Sequence, residues 1–286
     1  MDAGAALRIR GMHGLVCCLI VAAAVTSCGS AADTTTDSSS PAADSRGGAQ
    51  SPAARALRLP LMQLAPVLAT DASGGTVVQV RVRFVASAPT DTAIDPRRLH
   101  PSCGATLSDT LVAHRGDAVA GTLLWVEGDV PVLPEPAATE RRPTVRLERC
   151  HLQPRMQLAS PGSTVQLLMA DDRSDSLIVV PAAAGARIDT ISFVTDGQLV
   201  PLARETRPGV IGIHSTMTPW ARAYVVIAPT GTTAISDADG RASFAFARGG
   251  REATIRAWHP VLGLASATIR PATLQNGSVV TLNFRR

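Results

Sequence analysis

Lysine is absent from this chain, so all 27 of its basic residues are arginine. They are scattered singly or in pairs, and a diffuse net charge of +4 builds no nucleic-acid patch. Aromatic residues make up only 3% of the composition, which leaves Val, Leu, Ile and Ala as core material. With 286 residues and 45% hydrophobic content, the chain can still bury one sizeable core or two. No Gly-x-Ser-x-Gly elbow, His-Glu-x-x-His, phosphate-cradling Gly-x-x-x-x-Gly-Lys or dinucleotide fingerprint occurs. We therefore assign no catalytic residue and no cofactor and expect a non-enzyme. A Ser-His-Asp triad gathered from distant strands is the one arrangement that such patterns do not address. No apolar run reaches the ~20 residues that span a bilayer, and no long stripe repeats at helical spacing.

The N-terminus carries an export pattern. Arg8, Arg10 and His13 precede the apolar run from Leu15 to Val25, which ends in Val25-Thr26-Ser27-Cys28-Gly29. This segment resembles a bacterial lipoprotein signal. The resemblance implies cleavage after residue 27 and acylation of Cys28, with an ordinary signal and an incidental cysteine as the alternative. Residues 28–57 are rich in Ala, Ser, Thr, Asp, Gly and Pro, a composition that cannot offset its ordering entropy and is expected to be a tether. Because residue 29 is Gly and not Asp, the lipoprotein pattern favours the outer membrane where a cell has one. The expected location is the cell envelope, facing the periplasm or the cell surface, with the membrane as partner through the lipid.

Five cysteines are present. Cys17 and Cys18 leave with the signal and Cys28 takes the lipid, so Cys103 and Cys150 remain as an even pair in an oxidising compartment. A disulfide is expected, against the alternative of two free buried thiols.

Beyond residue 75 the pattern is that of strands. TVVQVRVRFV alternates Val78, Val80, Val82 and Phe84 with Gln79, Arg81 and Arg83, the period of a half-buried strand. Further short runs are predicted at 119–127, 144–149, 163–169, 190–194, 222–228, 253–258 and 279–284. Turn signals at Asp196-Gly197, Asp239-Gly240 and Asn276-Gly277 separate several of them. The expected fold class is all-β, with two antiparallel β-sandwich units.

Three collinear stretches carry a family resemblance. GGTVVQVRVRFVASAP, Cys103-Gly104 and VAGTLLWVEGDVP come first, CHLQPRMQLASPGSTVQLLMADDRSDSLIV second, and TTAISDADGRASFAFARGGREATIRAWHPVLG third. Together they resemble bacterial exported proteins that join a carboxypeptidase regulatory-like (transthyretin/Cna-B-like) sandwich to a plastocyanin-like cupredoxin. The resemblance implies an N-terminal β-sandwich portion at 58–139, a cupredoxin-like domain at 140–229 and a regulatory-like portion at 230–286. A type 1 copper site needs two imidazoles, a thiolate and a weak axial thioether. An ungapped frame puts Asp175 and Thr218 at the two histidine positions, Ser215 at the cysteine and Ala221 at the methionine, so no metal ligand set is expected there. A rival frame sliding His214 to Met217 onto the motif places Ile211 at the cysteine, and leaves only a weak site from His214, Met217 and His151 or His259. Otherwise His214 reads as a solvated loop histidine beside a core Met217.

Other clusters have plain readings. Asp237, Asp239 and Gly240 resemble the start of a calcium loop, but position 248 is Arg where the closing carboxylate belongs, and a hairpin accounts for the same residues. Asp171, Asp172 and Asp175 read as a polar loop. His259 reads as a strand-end hydrogen-bonding residue. The leading expectation is a non-enzymatic, lipid-anchored binding or structural scaffold, with carbohydrate or an envelope protein as partner classes and no nucleic acid. Its alternatives are a copper-binding or electron-transfer protein and a carbohydrate-binding module using exposed Trp125, Trp220 or Trp258.

Overall fold

A computed structural model describes residues 60, 62–67, 75–85, 91–95, 97, 99–104, 108–109, 112–129, 131–133, 142–182, 187–247 and 252–285. The expected signal segment, Cys28 and the whole of the expected tether lie outside the described residues. All described residues fall within one compact unit.

The first sandwich is built from both ends of that unit. Its outer sheet centres on Thr76–Phe84, which pairs with Arg241–Phe246 and Ser278–Phe284 and touches Ala118–Val119. Its inner sheet runs Thr233–Ile235, Leu123–Glu127, Ala253–His259 and Gly263–Ile269. The alternation of the first strand explains its orientation: Val78, Val80 and Val82 are buried while Gln79 and Arg81 are exposed. Those valines meet Leu124, Val126 and Ile255 of the facing sheet, together with Phe244, Phe246 and Phe284. Each such side chain contributes roughly 1.5–3 kcal/mol by burial.

The second sandwich occupies the middle of the chain. One sheet runs Leu199–Pro201, Gln166–Met169, Thr144–Glu148 and His151–Gln153; the other runs Asp189–Phe193, Asp175–Val180, Gly209–Ser215, Arg222–Ile227 and Met156–Ala159. Leu147, Leu167 and Met169 from the first sheet pack on Leu177, Ile211, Ile213 and Val225 from the second. The opposite face of the second sheet is also covered. Val210, Tyr224 and Val226 pack on Leu123, Trp125 and Trp258 from the inner sheet of the first sandwich. Four sheets are thus stacked, and the strands Leu123–Glu127 and Gly209–Ser215 in the central two are buried on both faces.

Several expectations need correction. Three pairings are parallel, namely Thr76–Phe84 with Ser278–Phe284, Thr144–Glu148 with Gln166–Met169, and Met156–Ala159 with Arg222–Ile227. Turn residues fix the direction of strands that follow one another, but these partners meet only after the chain has passed through other strands. The run at 119–127 is two strands in different sheets, Ala118–Val119 and Leu123–Glu127. The chain crosses between them at Gly121, whose φ of 63° suits glycine. Ser236 holds this crossing, accepting from the Thr122 N–H at 2.9 Å and donating to the Val119 carbonyl at 2.8 Å.

Candidate functional site

The four positions that the resemblance assigns to copper ligands come together at one end of the second sandwich. Ser215 closes the Gly209–Ser215 strand, Asp175 opens the strand beside it, and Thr218 and Ala221 lie on the loop leading to Arg222–Ile227. The Ser215 hydroxyl donates to the Asp175 carboxylate, at 2.8 Å to Oδ2. It accepts from the Thr218 hydroxyl and the Thr218 backbone N–H, each at 2.8 Å. The loop is closed by the Ser215 N–H donating to the Ala221 carbonyl at 3.0 Å. Asp175, Ser215, Thr218 and Ala221 are all buried.

A residue that sequence reasoning passed over sits in their midst. The Arg173 side chain is only 5% exposed and donates to Asp175 Oδ2 at 2.7 Å, to Asp171 Oδ2 at 3.3 Å and to the Thr218 hydroxyl at 3.4 Å. Asp171 and Asp175 are thus not part of a solvated loop, and only Asp172 of the three is exposed. Strand alternation could not have revealed it, because residues 171–173 form a bend in which the Arg173 N–H donates to the Asp171 carbonyl at 2.8 Å. A buried guanidinium between two carboxylates satisfies charge and fork geometry together.

The same network secures the cysteine pair. Thr144–Glu148 and His151–Gln153 form a hairpin whose two turn residues, Arg149 and Cys150, have φ of 48° and 62°. A tight hairpin of this kind demands positive φ at both positions, ordinarily met by Asn-Gly. Here the Asp171 carboxylate accepts both turn N–H groups, including Cys150 at 2.8 Å. Cys150 is disulfide-bonded to Cys103, with Cα atoms 5.1 Å apart. Trp220 donates its indole N–H to the Cys150 carbonyl at 3.0 Å, which locks the far side of the turn.

This pole does not fit a type 1 copper ion. Its groups are a carboxylate, two hydroxyls and a methyl, with neither imidazole nor thiolate, and the oxygens are engaged by hydrogen bonds to one another and to Arg173. The rival set is not assembled either. His214, one residue from Ser215, faces the opposite side of the sheet and is buried, while Met217 is 64% exposed. The expectation of a solvated His214 beside a core Met217 is therefore reversed, because the strand runs through Ser215 and leaves Met217 on the loop. Neither His214 ring nitrogen has a hydrogen-bond partner among the described residues, and burial, aided by the Arg222 charge, lowers its pKa. Among the described residues, no three His, Cys, Asp or Glu side chains are grouped to hold a metal.

The remaining candidates also find places. Asp237 accepts from the backbone N–H groups of Asp239 and Arg241 at 2.8 and 2.9 Å, the pattern of a hairpin. Asp239 pairs with Arg115 at 2.8 Å. Trp125, Trp220 and Trp258 are buried, so they present no flat exposed platform to a sugar. His259 ends its strand, and its Nδ1 accepts the Val261 N–H at 3.2 Å. Burial and the Arg155 charge lower its pKa to about 4, which keeps the ring neutral at pH 7. With Nδ1 accepting, the ring proton resides on Nε2.

Where the two sandwiches meet, sequence reasoning missed a cavity of about 520 Å³. Arg155, Trp220, Arg222 and Tyr224 from the second sandwich and His259 and Val261 from the first line it. These residues lie far apart in sequence, and only the stacking of the two sandwiches brings them together.

No family model matches the chain, and no curated protein matches it. Solved structures share parts of it at low similarity. A Cu-containing nitrite reductase from Thermus scotoductus SA-01 is 15% identical over 33% of this chain and 25% of its own length, with a TM-score of 0.27, so the match spans a quarter of that enzyme. A substituted amicyanin in the Cu(I) state is 17% identical over 37% of this chain and 98% of its own, with a TM-score of 0.28. The reduced auracyanin of Roseiflexus castenholzii is 10% identical over 32% of this chain and 100% of its own, with a TM-score of 0.25. At such values the architecture rests on strand order and packing alone: an all-β protein of two stacked sandwiches.

Proposed function

We propose that the protein is an exported, lipid-anchored, non-enzymatic scaffold that binds a partner or ligand, combining a cupredoxin-like sandwich without a type 1 copper site with a regulatory-like sandwich. The observation that carries this reading is the Arg173 network. Where a cupredoxin would place metal ligands, a guanidinium sits between the Asp171 and Asp175 carboxylates and a hydroxyl chain closes around it. A cation is still present at that pole, but it is covalently part of the chain and cannot exchange or change oxidation state. Copper titration of the purified protein, followed by absorption and EPR, tests the reading. No stoichiometric uptake is expected, and one tightly held equivalent of Cu(II), seen as a saturable EPR signal, would overturn it.

The export part has its own test. With Cys28→Ala, the protein is expected to move from the detergent phase to the aqueous phase or to keep its signal segment. An unchanged membrane fraction would remove the lipid anchor from the proposal.

A further inference from the structure

We infer that the cavity between the sandwiches binds a small uncharged molecule with a flat apolar body and a carbonyl-type acceptor, held by the Tyr224 hydroxyl and the His259 Nε2–H. The inference rests on the binding half of the scaffold reading and deepens it. A volume of about 520 Å³ lies within the range of small-molecule sites, and the junction of two packed units is where such sites recur.

Two polar tips in the lining carry the argument. Tyr224 and His259 are only 5% and 6% exposed, and both line the cavity. A polar atom in so enclosed a place ordinarily has a hydrogen-bond partner. Among the described residues the Tyr224 hydroxyl has none, and His259 uses only Nδ1, which accepts the Val261 N–H. Neither tip is sealed in, unlike the two His214 ring nitrogens, so each is reachable from the cavity. The tips also share a neighbourhood, since the Arg155 charge acts on both.

Their chemistry selects the ligand. With Nδ1 occupied, His259 can only donate from Nε2, and burial, aided by the Arg155 charge, lowers its pKa to about 4 and keeps it neutral at pH 7. Burial raises the Tyr224 pKa against the Arg222 and Arg155 charges, so the hydroxyl stays protonated and can donate as well. Two donors match one acceptor oxygen with two lone pairs, as in a carbonyl. The charged lining makes no comparable demand. Arg222 Nε donates to the Pro219 carbonyl at 2.8 Å, and Arg155 and His151 have partners of their own. A charge on the ligand would cost hydration on entry, and neither unpartnered tip requires one. Trp220, Met156, Pro260 and Val261 supply the apolar wall for the body of the ligand.

The test is calorimetric titration of the purified full chain at pH 7.5 with coumarin, with naphthalene and with coumarin-3-carboxylate. Naphthalene keeps the size and shape of coumarin without its acceptor, and coumarin-3-carboxylate adds a negative charge. Saturable one-site binding of coumarin is expected, with naphthalene weaker by about tenfold or more, because both donors are then left without an acceptor. Coumarin-3-carboxylate should bind no more tightly than coumarin. Tyr224→Phe and His259→Leu should each weaken coumarin by about tenfold while leaving naphthalene unchanged. Ala120→Phe, which adds bulk to the cavity wall and keeps both donors, should weaken coumarin and naphthalene alike. Circular dichroism confirms that each variant is folded, and Tyr224→Phe, which removes a single oxygen and keeps the ring, provides the reading if His259→Leu does not fold. Equal affinity for naphthalene and coumarin, unchanged coumarin affinity in folded Tyr224→Phe, coumarin-3-carboxylate binding tenfold more tightly than coumarin, or no binding of any probe would each overturn the inference. Such a failure would leave the copper result untouched, whereas copper uptake would overturn the scaffold reading and leave the cavity in place.

Discussion

The Arg173 pole and the inter-sandwich cavity lie on either side of the loop that joins Gly209–Ser215 to Arg222–Ile227, yet one is filled by the chain and the other is open. At the pole one guanidinium faces two carboxylates and every hydroxyl has a partner. At the cavity side chains from both sandwiches, among them Trp220, Tyr224 and Val261, leave an open space of about 520 Å³. A polar cluster whose members partner one another becomes part of the fold. The position resembling a site is filled by the chain itself, and the open surface lies elsewhere.

The largest expected effect comes from breaking the closed cluster. Arg173→Leu would leave Asp171 and Asp175 buried without their cation, a loss of about 3–5 kcal/mol for a broken buried pair. Urea denaturation would measure it. Adding Asp175→Asn should recover part of the loss, because one uncompensated charge is then removed. A midpoint unchanged by Arg173→Leu would show that the pole is not a lock. Replacing the Cys103–Cys150 disulfide by two serines should cost about 2–4 kcal/mol, given its separation of 47 residues. The same titration under non-reducing conditions reads that value.

A smaller effect is expected from pH. The His259 pKa is about 4 in the folded protein and near 6.5 when unfolded, so between these values the unfolded chain binds the extra proton. Stability should therefore be full above about pH 6.5 and fall as the pH drops toward 4, by roughly 3 kcal/mol at most for this group. His214, also shifted downward, acts in the same direction. The window from pH 6.5 to 5 lies above most carboxylate titration, and His259→Gln should flatten the slope there. The smallest effect sharpens the contrast with Arg173. Exposed Arg222→Gln should shift stability by no more than about 0.5 kcal/mol.

Some elements could be read directly from the residues. Asp196-Gly197, Asp239-Gly240 and Asn276-Gly277 mark turns whose glycines all have positive φ, a conformation that glycine adopts without penalty. Gly240 is further constrained, since a Cβ there would lie 2.5 Å from the Val82 carbonyl oxygen. The Thr76–Phe84 strand announces itself because one face is wet. The Gly209–Ser215 strand does not, because every residue in it is buried and no alternation survives to be read. That loss of pattern made His214 look like a loop residue and hid its placement within the stacked sheets. The disulfide was legible from cysteine count and compartment, but the turn that carries Cys150 was not, since Arg149-Cys150 lacks the usual Asn-Gly chemistry and depends on Asp171 from another loop.

Sequence by itself determined the all-β character, the turns at Asp-Gly and Asn-Gly and the cysteine pair, because each follows from residue type or short-range spacing. Tertiary structure alone decided that the two flanking segments share their sheets, that Arg173 fills the pole beside Asp175, Ser215 and Thr218, and that Arg155, Arg222 and His259 meet around one cavity. These arrangements depend on contacts between residues far apart in the chain, and the geometry of such contacts is set by how whole sheets stack and not by any local pattern.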